Sequence, residues 1–127
     1  MKEQKKFVLK KIGYGLGLFA NKVFKRGQYI IEYTGEKLLN AEADRRGGKY
    51  LMVLDSKYTL DGKSRKNLAR YANHSCKPNC IQYIVGSRIN LYARRKIEVG
   101  EELTYNYGKE YCDEYCKPCK CDFCLKK

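Results

Sequence analysis

The sequence predicts one mainly β domain, built from short sheets with only a few short helices. Three observations lead there. Apolar residues recur from Phe7 to Leu103 without an internal repeat or a Pro/Ser-rich linker, so the 127 residues read as one unit around one core. The apolar runs are five to seven residues long and rich in β-branched and aromatic side chains, as strands are. Long helical periodicity is absent, which argues against a doubly wound nucleotide-binding fold, where each strand alternates with a long helix.

In chain order, Phe7–Ile12 (FVLKKI) and Leu18–Phe24 read as the first strands, and Tyr29–Tyr33 (YIIEY) as the third. A short helix follows at Ala41–Arg46, then a strand at Tyr50–Leu54. From about Arg65 to Ala72 the three-four spacing of Leu68, Tyr71 and Ala72 reads as a second helix. Ile81–Val85 and Ile89–Ala93 form a hairpin across Gly86-Ser87.

Charge narrows the partners. The 27 lysines and arginines against 14 acids give a formal net charge of +13, spread over the chain with one short cluster between Lys63 and Arg70. Such a surface attracts nucleic acid, chromatin or an anionic membrane face, with a steep salt dependence, although a merely soluble lysine-rich surface is the plainer reading. No apolar run approaches the ~18 residues of a membrane span, and Met1–Lys6 lacks the apolar stretch of a signal peptide, so an intracellular protein without membrane contact is expected. Seven cysteines are an odd number for a disulfide framework, and five of them fall in thirteen residues, Cys112, Cys116, Cys119, Cys121 and Cys124. In a reducing compartment that density reads as metal binding.

Three stretches carry candidate chemistry. In "GYGLGLFA", Gly13 to Ala20, the absence of a Cβ at Gly15 and Gly17 would let a ligand approach the backbone, although such a pattern is by itself more often a plain turn. "NHSCKPNC", residues 73 to 80, concentrates the only histidine, two cysteines and one of two prolines. Asn73 and His74 suit buried backbone or ligand groups, and a lone histidine is by itself more often a satisfied core residue. In "CKPCKCDFC", Cys119, Cys121 and Cys124 supply three thiolates of a tetrahedral zinc site. Spacing leaves the fourth ligand open among Cys76, Cys80, Cys112 and Cys116.

Taken together, Gly15-Leu16-Gly17 with Leu18-Phe19-Ala20, Tyr33-Thr34-Gly35, "NLARYANHSCKPNC" from Asn67 to Cys80 and "GEELTYNYG" from Gly100 to Gly108 resemble the SET-domain protein-lysine methyltransferases, in order and in spacing. The likeness runs from about Phe7 to Leu125. It implies a SET catalytic domain over 7–108 and a post-SET zinc-binding segment over 109–127. The implied fold is β-clip-like, with a C-terminal segment threaded under a preceding loop as a pseudoknot, against the usual avoidance of knots. Its implied cofactor is S-adenosylmethionine, received by the backbone of Gly15, Leu16 and Gly17, with Tyr50, Arg70, Asn73 and His74 completing the pocket. By the same likeness Cys76 joins Cys119, Cys121 and Cys124 on one structural zinc, with Cys116 as the alternative to Cys76.

Lysine chemistry explains the tyrosines that the resemblance singles out. An amine with a pKa near 10.4 costs over ~4 kcal/mol to present neutral at neutral pH. A narrow aromatic channel beside a positive sulfonium disfavours the ammonium, and the likeness places Tyr33, Met52, Tyr105 and Tyr107 along it. Tyr107 is the expected essential residue, orienting the transferred methyl group. Tyr105 stands where relatives carry Phe or Tyr, and its hydroxyl takes up room, which leans towards mono- or dimethylation. The implied substrate is a histone or nucleosome, at the nucleus or chromosome, with non-specific DNA contact and a homodimer as further partner expectations. A catalytically silent zinc module binding nucleic acid or chromatin is the alternative. The chain departs from the family at Asn106, usually Asp, at Met52, often aromatic, and in its short C-x-C-x2-C spacing.

Overall fold

A computed structural model describes residues 6–13 and 15–108. Among them the chain runs β1 (Phe7–Ile12), β2 (Gly15–Ala20), β3 (Tyr29–Tyr33), β4 (Glu36–Leu39), α1 (Asn40–Arg46), β5 (Leu51–Val53) and β6 (Tyr58–Asp61). A one-turn 3-10 helix at Leu68–Tyr71 precedes β7 (Asn73–His74), β8 (Cys80–Val85), β9 (Arg88–Ala93) and β10 (Thr104–Tyr105). Four small sheets result: the β1-β2 hairpin, the triplets β3-β9-β8 and β4-β6-β5, and the parallel pair β10-β7. The architecture is mainly β, as the sequence predicts.

Period-two patterning builds the largest sheet. In β9, Ile89, Leu91 and Ala93 are buried while Arg88, Asn90 and Tyr92 turn the other way. Together with Leu18, Phe24, Ile30, Ile97 and Leu103 they form one continuous core. Gly86 opens the two-residue turn between β8 and β9 at φ +61°, a conformation that costs glycine little.

Expected elements shift where polar side chains intervene. The second strand starts at Gly15 and ends at Ala20, and Phe24 survives only as an isolated bridge to Ile97. The helix read from Arg65 to Ala72 is reduced to the 3-10 turn. Buried Asn67 diverts the backbone there, its Oδ1 accepting the Thr34 amide at 3.0 Å and its Nδ2 donating to the Gly62 carbonyl at 3.0 Å. β4 and β6 escape an apolar-run reading because Glu36, Lys37, Thr59 and Asp61 interrupt them. Asp61 is buried because Arg46 of α1 meets it at 3.1 Å while also holding Glu36 at 2.9 Å.

The C-terminal part of the described chain is gripped from both sides. Leu103 donates its amide to the Leu18 carbonyl at 2.8 Å, and Glu102 bridges Phe19, so residues 100–103 lie along β2. β10 then runs beside β7, and Asn79 from the following loop bonds it through its side chain, donating to the Glu102 carbonyl at 2.8 Å and accepting the Thr104 amide at 3.0 Å. The turn before β10 carries its own charge lock. Glu101 meets Arg95 at 2.8 Å and accepts the Glu98 amide at 2.7 Å. Arg95 first, and the Glu98 amide after it, hold the Glu101 carboxyl below its usual range. A depressed folded-state pKa contributes stability above the unfolded value and loses it as pH falls through the folded one. Glu101→Gln should therefore destabilise the protein at neutral pH by ~0.2–1 kcal/mol, and thermal melts should show that difference vanish in acid.

Candidate active site

Alternation along an extended chain throws Tyr105 and Tyr107 to the same side of Asn106. Their rings lie 4.8 Å apart at 58°, with Tyr105 buried and Tyr107 half-buried. Both ends of Tyr107 are fixed. Its hydroxyl donates to the Ala72 carbonyl at 2.6 Å, and its amide donates to His74 Nδ1 at 3.1 Å. The His74 ring packs 5.3 Å from the Tyr107 ring, and partial burial keeps this imidazole below the ordinary histidine range, consistent with an Nδ1 that accepts. Tyr105 is held through its backbone, whose carbonyl accepts the Ser75 amide at 3.1 Å. Asn106 Oδ1 accepts the Gly108 amide at 2.8 Å, an acceptor role that the amide fills without the carboxylate's charge.

A second group forms around Asn73. Its Nδ2 donates to the Leu16 carbonyl at 3.0 Å and to Glu102 Oε2 at 3.0 Å, tying the glycine strand to the segment before β10. That carboxylate explains Gly17, where a Cβ would sit 2.8 Å from Glu102 Oε2. Gly15, at φ +142° with open space around it, and exposed Leu16 leave the backbone accessible. The third group joins Tyr33, Tyr50 and Arg70. The Tyr50 carbonyl accepts both the Tyr33 hydroxyl, at 2.7 Å, and the Gly62 amide, at 2.9 Å. A Cβ at Gly62 would lie 2.3 Å from the Tyr33 ring, so only glycine lets this ring settle. Arg70 stacks its guanidinium 4.2 Å from the Tyr50 ring, donates to the Tyr50 hydroxyl at 3.2 Å and bonds the Lys63 carbonyl. Its Nε is buried without a partner among the described residues. A buried guanidinium N–H left unpaired is a ready donor to an anionic group.

The three groups are contiguous in sequence through Arg70, Tyr71, Ala72, Asn73 and His74, so the crowding of "NHSC" now has a structural cause. β7 faces the glycine strand with Asn73 and Tyr107 with His74. Met52 is buried in the core cluster, opposite Leu60. Sequence reasoning assigned no role to Asn67, Asn79 or Glu102, although all three fall in its motifs. Their signal is a polar residue at a position the fold buries or half-buries.

Of the expected zinc ligands, Cys119, Cys121 and Cys124 lie outside the described residues, as do Cys112 and Cys116. Among the described residues no group of three or more metal-binding side chains occurs. Cys76 is exposed, with its sulfur 3.5 Å from His74 Nε2. Cys80 stands in a different setting. It is buried in the core, its thiol is pushed up to about 12 by desolvation, and its sulfur faces Asn79 Oδ1.

Histone-lysine N-methyltransferase trithorax of Drosophila virilis is 37% identical over 120 residues, covering 85% of this chain and 3% of that protein. The "Histone-lysine N-methyltransferase, H3 lysine-4 specific" of Schizosaccharomyces pombe is 41% identical over 120 residues, covering 84% of this chain and 13% of its own length. Its namesake in Aspergillus oryzae is 38% identical over 120 residues, with shares of 83% and 10%. The chain thus spans 3 to 13% of the length of these relatives. Residues 15–108 match the family model described as "SET domain", and the chain belongs to the SET-domain family.

Proposed function

We propose that this chain is a protein-lysine N-methyltransferase that uses S-adenosylmethionine and acts on a histone. The observation that carries the reading is the Tyr105–Tyr107 pair, anchored by the Tyr107 hydroxyl on Ala72 immediately before Asn73-His74. The cofactor pocket fits the residues present. The Arg70 Nε–H suits a carboxylate, the Asn73 amide oxygen accepts no bond among the described residues and suits an ammonium, and Gly15 and Gly17 keep the adjoining backbone open. When bound, S-adenosylmethionine supplies an electrophilic methyl group on a positively charged sulfur.

The chain's own residues then do three things. Tyr33, Tyr105 and Tyr107 line the lysine channel and exclude water, which favours the neutral amine over the ammonium. The Tyr107 hydroxyl, fixed by its bond to Ala72, presents its oxygen where the methyl group is to be oriented. His74 Nδ1 is occupied by the Tyr107 amide, so this nitrogen does not serve as the base, and the lysine proton leaves to solvent before transfer. Positioning supplies much of the rate. The Tyr105 hydroxyl takes up room in the channel that a third methyl group would need, which supports mono- or dimethylation.

The relatives' names support a histone substrate, with a nuclear or chromosomal location. A net charge of +13 favours nucleosomes over free basic tails through non-specific contact with DNA. Transfer of labelled methyl groups to core histones and nucleosomes, mapped by mass spectrometry, tests the reading. No transfer to either, from protein that calorimetry shows to bind the cofactor, would refute it.

Cys76 with Cys119, Cys121 and Cys124 makes a thiolate set suited to one structural zinc. Metal analysis should find one zinc per chain. Cys76→Ser should lower zinc affinity at least ~10–100-fold, more than the loss of an outer hydrogen bond to a ligand. Unchanged metal content in that variant would point to Cys116.

A further inference from the structure

The outward face of the β3-β9-β8 sheet takes no part in the site described. The registers Tyr29↔Tyr92, Ile81↔Tyr92 and Tyr83↔Asn90 put Tyr29, Tyr92 and Tyr83 on this face, one from each strand. Tyr92 meets Tyr29 at 5.8 Å and Tyr83 at 5.5 Å, both edge-on. Tyr29 is 46% exposed and Tyr83 53% exposed. The only acid that these three strands place on this face, Glu32, sits 3.7 Å from Arg88.

One end of the tyrosine row adjoins, along the backbone, two basic segments. The turn before β3 is stitched to the chain leaving β9 by four backbone hydrogen bonds, Phe24 with Ile97 in both directions, Gly27 to Ala93 and Ala93 to Gln28. Lys25, Arg26 and Arg94 are exposed on these two segments and have no ion pair among the described residues. Their neighbours Arg95 and Lys96 are compensated by Glu101 and Glu98. Aromatic rings beside uncompensated cations on a rigid backbone are what single-stranded nucleic acid requires, because bases stack on the rings and phosphates pair with the cations. A duplex hides its base faces and would use the cations alone.

We infer that this face binds single-stranded nucleic acid, with bases on Tyr29, Tyr92 and Tyr83 and phosphates at Lys25, Arg26 and Arg94. Fluorescence anisotropy with a short labelled oligothymidylate, and with a duplex of the same length, tests it. Single strand should bind more tightly than duplex. Tyr83→Ala and Tyr29→Ala should each weaken single-strand binding about tenfold, the lower end of what a stacked base contributes, and leave duplex binding unchanged. Tyr83→Phe keeps the ring and should bind like the native chain, which separates stacking from any loss of fold. Replacing Lys25 and Arg94 by glutamine should reduce the salt slope by ~0.7 for each phosphate that is no longer neutralised. Native-like binding by both alanine variants overturns the inference, as does a preference for duplex. A native dimer in sedimentation that Tyr83→Ala dissolves would overturn it too, by making the face an interface between copies. Methyl transfer to a free histone peptide should be unaltered in every variant, so this inference and the methyltransferase reading fail separately.

Discussion

Tyr107→Phe is expected to lower methyl transfer by at least ~10²-fold, the loss typical of removing one preorganised hydrogen-bonding group at a reacting centre. The substitution removes one atom and leaves the surroundings in place. The backbone amide still donates to His74 Nδ1, and the ring still packs against Tyr105 and His74. What disappears is the bond to the Ala72 carbonyl at 2.6 Å, a loss of ~1 kcal/mol in stability that a denaturant titration can resolve. The fall should lie in kcat, with cofactor affinity nearly unchanged, because the groups assigned to the cofactor's charged end, Arg70 and Asn73, are untouched. Near-native turnover would show that the hydroxyl is structural.

A second large effect is expected on stability. Asn79 is 4% exposed and uses both ends of its amide, one on the Glu102 carbonyl and one on the Thr104 amide. Asn79→Leu has similar bulk and no polar atoms, so it orphans two backbone groups at a cost of ~1–3 kcal/mol each where they are buried. Because Glu102 and Thr104 are only half-buried, the sum should be about 3 kcal/mol, or a drop of ~10 °C in Tm for a chain of this length. Activity should fall with it, since the loosened strand is β10, which carries Tyr105 into Tyr107. Asn79→Asp keeps the acceptor for Thr104 and should be milder. Urea denaturation and exchange at the Thr104 amide report both changes, and a loss under ~1 kcal/mol for the leucine variant would remove Asn79 from the account.

Much of the fold was legible because its strongest signals are local. FVLKKI and YIIEY become strands with the expected ends, and the β8–β9 hairpin follows from two apolar runs around Gly86. Strands whose signal is split between apolar and charged residues were hidden. YTLD is the central strand of its sheet, yet its Asp61 is buried only because Arg46, fifteen residues away, arrives to pair with it. In the same way the helix expected through Arg65–Ala72 yields to Asn67, whose amide finds Thr34 thirty-three residues back.

The sequence by itself determined the fold class and the family, and it offered candidate residues for the site, because strand patterning and motif spacing are written in neighbouring residues. Tertiary structure alone decided how those residues pair. It placed the Tyr107 hydroxyl on Ala72, aimed Asn73 at both the glycine strand and Glu102, buried Cys80 in the core and left three tyrosines in a row on an open face. These are pairings between segments tens of residues apart. Each depends on sheet register and burial, which a side chain acquires only when the rest of the chain closes around it.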